Sequence, residues 1–178
     1  MSRTGPRAAG GPSVGVVSRA TLLPLLLLVA VLAAAAGAQL APRGPDAAAG
    51  WQRTRVERVV DGDTVVLRGL GPARLIGVDT PETHGGVECF GPAAAAFTTR
   101  SLRGRAVLVR AGVEPRDRYG RALVYLRRPG TVLFNGELLR RGYARRLRIP
   151  PNVAFDGRFD ALLAAARRAA AGLWGRCP

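Results

Sequence analysis

Between residues 53 and 126 the chain never runs far without a turn. Five short segments rich in Val, Thr and Leu (residues 53–60, 64–68, 73–78, 106–110 and 122–126) are cut apart by Asp61-Gly62-Asp63, by the glycines at 69 and 71, and by the charged turn from Arg116 to Gly120. An Asp-Gly pair between such runs is a hairpin signal, so the segments read as β-strands. Gly91-Pro92 opens a helix predicted over residues 93–102, with Pro in its first turn and Gly104 past its end. Asn135 is expected to cap a short helix carrying Leu138 and Leu139 and ended by Gly142. Phe159, Leu162, Leu163, Ala166, Ala170 and Leu173 recur at helical spacing and predict an amphipathic C-terminal helix. The order βββ-α-ββ-α-α, with short twisted strands, suits an α+β domain: a small closed five-stranded barrel with three helices packed on it.

The first 38 residues read as an address rather than as fold. Arg3, Arg7 and Arg19, with no acid, precede an apolar run over residues 20–38 that ends in Ala36-Gly37-Ala38. That is the order of a secretory signal peptide, with cleavage expected after Ala38. The competing reading is an uncleaved membrane anchor, because this run of 19 residues just spans a bilayer. Pro24 and the small-residue cleavage pattern favour removal. Residues 39–52 then read as a Pro/Gly/Ala linker, and 53–178 as the folded domain.

Charge narrows the partners. The chain carries 27 basic residues, all arginine, against 12 acids, a net charge of +15. Removing the first 38 residues takes away three arginines and no acid, so 24 arginines still face 12 acids. A GC-rich genome explains arginine usage without function. Physically, an all-arginine surface stays charged at any biological pH and grips phosphate bidentately, which favours nucleic acid or an anionic membrane surface. Cys89 and Cys177 enclose almost the whole domain, and in an exported protein they are expected to pair as a disulfide; two separate thiols are the alternative. One histidine (His84) and two distant cysteines leave no zinc-ligand cluster and no Ser-His-Asp or Cys-His set.

Acids are scarce, yet five of the 12 lie between Asp61 and Glu88. Asp61-Gly62-Asp63-Thr64 sits at one strand junction and Asp79-Thr80-Pro81-Glu82 follows another strand's end. If those strands are neighbours, Asp63, Asp79 and Glu82 converge at one rim. Clustered carboxylates repel, a hard cation relieves the repulsion, and all-oxygen ligands suit Ca²⁺ better than zinc. Each piece also has a plain structural reading. Asp61-Gly62 serves as a turn, and Asp79 with Glu82 as a helix cap and its reciprocal partner. Arg74 and Arg121 read equally as solvated face residues, Trp51 as a packing residue at the domain start, and Trp174 as core.

Taken together, Val-Asp61-Gly-Asp63-Thr64, Arg74-Leu-Ile-Gly-Val-Asp79-Thr80-Pro81-Glu82-Thr83, the following Gly-Pro-Ala-Ala, and Asp117-Arg-Tyr119-Gly120-Arg121 resemble the thermonuclease, or micrococcal nuclease, family. The resemblance runs in order from about Arg53 to Trp174. It implies an OB-fold barrel and a Ca²⁺-dependent, sugar-nonspecific nuclease that cuts DNA and RNA, preferring single-stranded or denatured substrate and leaving 3′-phosphates. Carried over residue by residue, it implies that Asp63, Asp79 and the Thr80 carbonyl ligate the metal. Glu82 is then the general base, Arg74 and Arg121 bind the scissile phosphate, Asp61 supports the ligands from behind, and Tyr119 contacts phosphate or nucleotide. The sequence departs from the family between residues 145 and 151, where tyrosines often occur and this chain has none. It also departs in a shorter loop over residues 83–87.

The expected protein is thus a secreted nuclease with no obligate protein partner, membrane-bound only if its N-terminal segment stays uncleaved. Arg140, Arg141, Arg145, Arg146 and Arg148, with Arg116 and Arg118, are candidates for salt-sensitive backbone contacts; a merely solvated basic face is the alternative for the 140–148 cluster. The rival from another class is a catalytically silent nucleic-acid-binding barrel. Retention of Asp63, Asp79, Glu82, Arg74 and Arg121 together argues against it, since a pure polyanion binder gains by losing carboxylates.

Overall fold

Burial alternates along the strands as a closed sheet requires: Val56, Val65, Leu67, Ala73, Leu75, Val107, Val109 and Val124 are all buried in one core. The computed structural model describes Met1 and residues 50–178. The proposed signal segment, its cleavage site and nearly all of the linker lie outside the described residues. Among the described residues, no helix is long and apolar enough to cross a membrane.

Five strands close the barrel: β1 (Gln52–Val59), β2 (Thr64–Leu67), β3 (Gly71–Leu75), β5 (Ala106–Arg116) and β6 (Ala122–Arg127). They run in the order β1-β2-β3-β6-β5. All pairs are antiparallel except β3 with β6, which is parallel. Three helices, α1 (Gly91–Leu102), α2 (Phe134–Arg140) and α3 (Asp156–Arg168), accompany it, followed by a single turn, α4 (Leu173–Arg176). The expected five-stranded barrel with three helices is the observed one.

Several local expectations change. The third strand does not continue to Val78. Gly77, at φ +85°, turns the chain off the barrel, and the Phe159 ring lies 2.6 Å from where a β-carbon would stand; only glycine fits there. Val78–Asp79 then forms a separate strand, β4, which pairs antiparallel with β7 (Arg145–Arg146). The C-terminal helix stops at Arg168, so Leu173 belongs to α4 rather than to the periodic stripe.

Asn135 is no cap. The N-cap of α2 is Leu133, and Asn135 is fully buried inside the helix. Its amide nitrogen donates to the carbonyls of Ile76 (2.9 Å) and Val124 (3.2 Å), and its oxygen accepts the Leu126 N–H at 2.9 Å. One side chain therefore satisfies the backbone where the chain leaves β3 and where β6 passes beneath α2. Unpaired buried groups there would each cost about 1–3 kcal/mol. Cys89 and Cys177 form a disulfide and no free cysteine remains; the bond ties the loop after β4 to the chain end.

Candidate active site

The turn between β1 and β2 is built by Asp61, whose Oδ1 accepts the N–H groups of Asp63 (3.0 Å) and Thr64 (2.7 Å). Asp61 thus shapes the turn that aims Asp63. Gly62 has a second duty, because a β-carbon there would stand 2.7 Å from the Thr80 side chain. Its absence lets Thr80 approach, and Thr80 donates both its N–H (2.7 Å) and its hydroxyl (3.0 Å) to Asp63 Oδ2. The alternative reading of Asp79 and Glu82 as a helix cap and its partner does not hold, since no helix starts there.

Arg74 opposes Thr64 across the β2–β3 ladder, which places its guanidinium beside the same turn. Nη1 lies 3.0 Å from Asp63 Oδ1, and Nη2 lies 2.9 Å from Asp79 Oδ1. Nη1 also donates to the Val78 carbonyl at 2.8 Å. A single guanidinium therefore bridges the carboxylate of the β1–β2 turn and that of Asp79 at the end of β4, two of the three acids that the sequence reading placed at one rim. Burial pushes the Asp63 carboxyl up to about 6, although Arg74 and the Thr80 donors pull the other way. Below its ordinary value of 3.8 both folded and unfolded chains are protonated. Between that value and about 6 the folded state holds the extra proton, so rising pH removes stability through this window. Without divalent metal, the melting temperature is expected to fall by several degrees between pH 4 and pH 7. Asp63→Asn should flatten that slope; calorimetry in chelator checks it, and an unchanged slope would refute the origin assigned here.

The parallel β3–β6 pairing sets Ala73 opposite Ala122, bringing Arg121 to the same barrel rim as Arg74. Asp117 organises this side. Its Oδ1 accepts the N–H groups of Tyr119 (2.9 Å) and Arg121 (3.0 Å), and its Oδ2 takes Arg121 Nε at 2.6 Å. Burial alone would raise the Asp117 carboxyl, but the hydrogen bonds and charge of Arg121 hold it below its usual range. Among the described residues the two terminal nitrogens of Arg121 have no hydrogen-bond partner, leaving that edge of the fork open to a ligand. Tyr119 is 68% exposed and lies beside Arg121, whose Cζ is 5.4 Å from its ring.

Arg74, Arg121, Asp117 and Tyr119 line one groove of about 490 Å³, walled by Leu123, Leu147, Ile149 and Asn152. Leu147 and Ile149 stand in the segment where tyrosines were missing, so that wall is apolar without being aromatic. Asn152 was not foreseen. It holds Glu114 of β5 by two hydrogen bonds, at 3.0 and 2.9 Å, and so sets where the Arg116–Arg121 turn begins. Nor was the orienting role of Asp117, although its spacing of four residues to Arg121 was a usable signal.

Glu82 lies on the exposed loop just after Thr80-Pro81 and is not part of the groove's lining. Its backbone is tied instead. Its N–H donates to Glu88 Oε2 at 3.2 Å, and its carbonyl accepts the Glu88 N–H at 3.0 Å. The 140–148 arginines are also not what composition suggested. Arg140 and Arg141 pair with Glu137, Arg145 with Glu88, Arg146 with Asp156 and Asp160, and Arg148 with Asp156. Five arginines meet four carboxylates, and little net charge is left there.

Among the described residues no group of three or more His, Cys, Asp or Glu is gathered as a metal cage. The oxygens of Asp63 and Asp79 nevertheless converge on one cationic group, and both are hard donors. That donor set fits an oxygen-preferring divalent cation completed by backbone carbonyl, water or a substrate phosphate.

Comparison with known proteins identifies the family. The family model described as staphylococcal nuclease homologue matches residues 72–176. A thermonuclease of Staphylococcus intermedius is 43% identical over 103 residues, covering 54% of this chain and 61% of that protein. A thermonuclease of Staphylococcus hyicus is 32% identical over 161 residues, covering 84% of this chain and 95% of that protein. An endonuclease of Bacillus subtilis, YhcR, is 33% identical over 145 residues, which are 73% of this chain but 12% of that much longer protein.

Proposed function

Since this chain belongs to the staphylococcal nuclease homologue family, we propose that it is a nuclease hydrolysing phosphodiester bonds of DNA and RNA in the groove between Arg74 and Arg121. The observation that carries the reading is the shared rim: two arginines on one groove, one of them already bridging the two carboxylates. The relatives named thermonuclease and endonuclease support it.

Hydrolysis must bring water in line with the leaving oxygen and offset charge growing on the phosphoryl oxygens. Arg121 presents its open fork edge to the phosphate, held in place by Asp117. Arg74 can exchange Asp79, whose side chain is 48% exposed, for a phosphate oxygen. Two planar donors on one ester stabilise the pentacoordinate state more than the ground state. The family resemblance assigns the attacking water and its proton to Glu82, which stands on the exposed loop after Thr80-Pro81, outside the groove's lining. Asp63, Asp79 and the Thr80 carbonyl would hold Ca²⁺, which supplies Lewis-acid charge at the phosphate when bound. The exposed ring of Tyr119 beside the phosphate arginines favours unpaired bases, hence single-stranded or denatured substrate, without sugar selectivity. Products are expected to carry 3′-phosphates. The proposed N-terminal signal leads to export with cleavage after Ala38; an uncleaved segment would keep the same domain at a membrane. N-terminal sequencing of the exported protein should begin at Gln39.

The deciding experiment incubates purified protein with denatured DNA in Ca²⁺ or in chelator, beside Glu82→Gln. Cleavage is expected in Ca²⁺ only, with the variant slower by about 10²–10⁴-fold. Intact DNA with the wild type in Ca²⁺ would defeat the enzyme reading, and full activity in chelator would remove calcium from it.

A further inference from the structure

We propose that the protein holds single-stranded nucleic acid at a second, noncatalytic subsite formed by Trp51, Arg110, Arg127 and Arg158, joined to the catalytic groove along the outside of β5 and β6. This rests on the nuclease reading and extends it to the substrate beyond the scissile bond. Shared walls make the path continuous. Asn152 lines the catalytic groove and also a neighbouring one of about 260 Å³. That second groove shares Arg110 with a third, of about 510 Å³, which contains Trp51, Arg127, Phe155 and Arg158.

Sheet register explains why these residues meet. Gln52 opposes Val109, which is buried in the core, so its neighbours Trp51 and Arg110 point to the outer face. Arg53 opposes Leu108, which in turn opposes Arg127 on that same face. The Arg110 guanidinium carbon lies 5.5 Å from the Trp51 ring centre and 4.8 Å from that of Phe155, and Arg127 lies 4.9 Å from Trp51.

Charge selects the occupant. No carboxylate lines either outer groove among the described residues. Arg158 is exposed and makes no ion pair among them, whereas the 140–148 arginines are nearly neutralised by acids. Flat guanidinium and indole surfaces beside the exposed charge of Arg158 match a ligand that alternates phosphates with unstacked bases. Duplex DNA offers phosphates but keeps its base faces covered.

The test compares cleavage of a thymidine dinucleotide with that of a long oligothymidylate by the full protein. Trp51→Ala and Arg158→Glu should each raise KM for the long substrate about tenfold and leave dinucleotide kinetics unchanged, while Trp51→Phe keeps most of the long-substrate advantage. An unchanged long-substrate KM in both variants overturns the subsite, as does an equal loss on both substrates. If the wild type cuts neither substrate, the nuclease reading fails by itself, and anisotropy of labelled oligothymidylate then decides. Weakened binding in both variants upholds the subsite and unaltered binding overturns it. Binding to phosphatidylglycerol vesicles lost in the variants, with oligonucleotide binding intact, would reassign the face to a membrane and also overturn it.

Discussion

Replacing Arg121 by lysine is expected to slow phosphodiester cleavage by about 10²–10³-fold, with nucleic-acid affinity changed far less. Lysine keeps the charge but loses the planar fork. In the native site Arg121 spends Nε on Asp117 at 2.6 Å and holds its other edge toward the groove. A lysine ammonium cannot make both contacts with fixed angles. Arg74→Lys should have a similar effect with an added structural penalty, since Arg74 also satisfies the Val78 carbonyl and neutralises Asp63. Single-turnover rates at saturating protein, set beside binding titrations in chelator, separate the two quantities. Equal losses in rate and affinity for Arg121→Lys would mean that it is an ordinary backbone contact rather than a group bound tightest at the transition state. Many other arginines still hold the polyanion, so affinity is buffered in a way that turnover is not.

Removing the disulfide is expected to cost about 4–5 kcal/mol, because the bridge closes a loop of 88 residues and restricts the unfolded chain accordingly. For a domain of this size that lowers the melting temperature by more than about 10 °C. The loss is not only global. Cys89 follows Glu88, whose backbone and carboxylate both bind the Glu82 backbone, and the Gly91 N–H closes onto the Glu88 carbonyl at 3.0 Å. Gly91 itself lacks a β-carbon that would stand 2.4 Å from the Glu82 carbonyl oxygen. The base of the loop bearing Glu82 is thus anchored through Cys89 to the chain end. A Cys89→Ala, Cys177→Ala protein should lose activity at temperatures where its circular dichroism is still native. Parallel loss of activity and structure would restrict the bridge to global stability, and an unshifted melting curve would contradict the loop-closure estimate.

The barrel was legible because its cues are local. Val/Thr-rich runs broken by Asp-Gly and by paired glycines define β1 and β2 within one residue of their observed ends, whereas β3 starts earlier and stops at Leu75 rather than Val78. Asp63 and Asp79 were legible as acids at strand junctions, whereas Arg74 and Arg121 read equally as solvated face residues and were singled out only by the resemblance to the thermonuclease family. Chain-neighbour patterns could not reveal Asn135, whose partners at Ile76 and Val124 lie 59 and 11 residues away. The propensity of Asn for helix starts pointed to a cap, but the backbone groups of Ile76, Val124 and Leu126 buried beneath the helix claimed its side chain. The Val78–Asp79 strand was hidden for a related reason, because its partner at Arg145–Arg146 is brought up by the fold.

By itself, then, the sequence determined the order of elements, the closing of five strands and which acids and arginines stand at strand ends, because dihedral preference and side-chain period act between near neighbours. Only the tertiary structure decided which positive charges remain uncompensated. Composition counts arginines, but pairing depends on separation in space. Folding delivers Glu137, Glu88, Asp156 and Asp160 to the 140–148 segment and leaves Arg110 and Arg158 in one groove with Trp51, which no acid lines among the described residues.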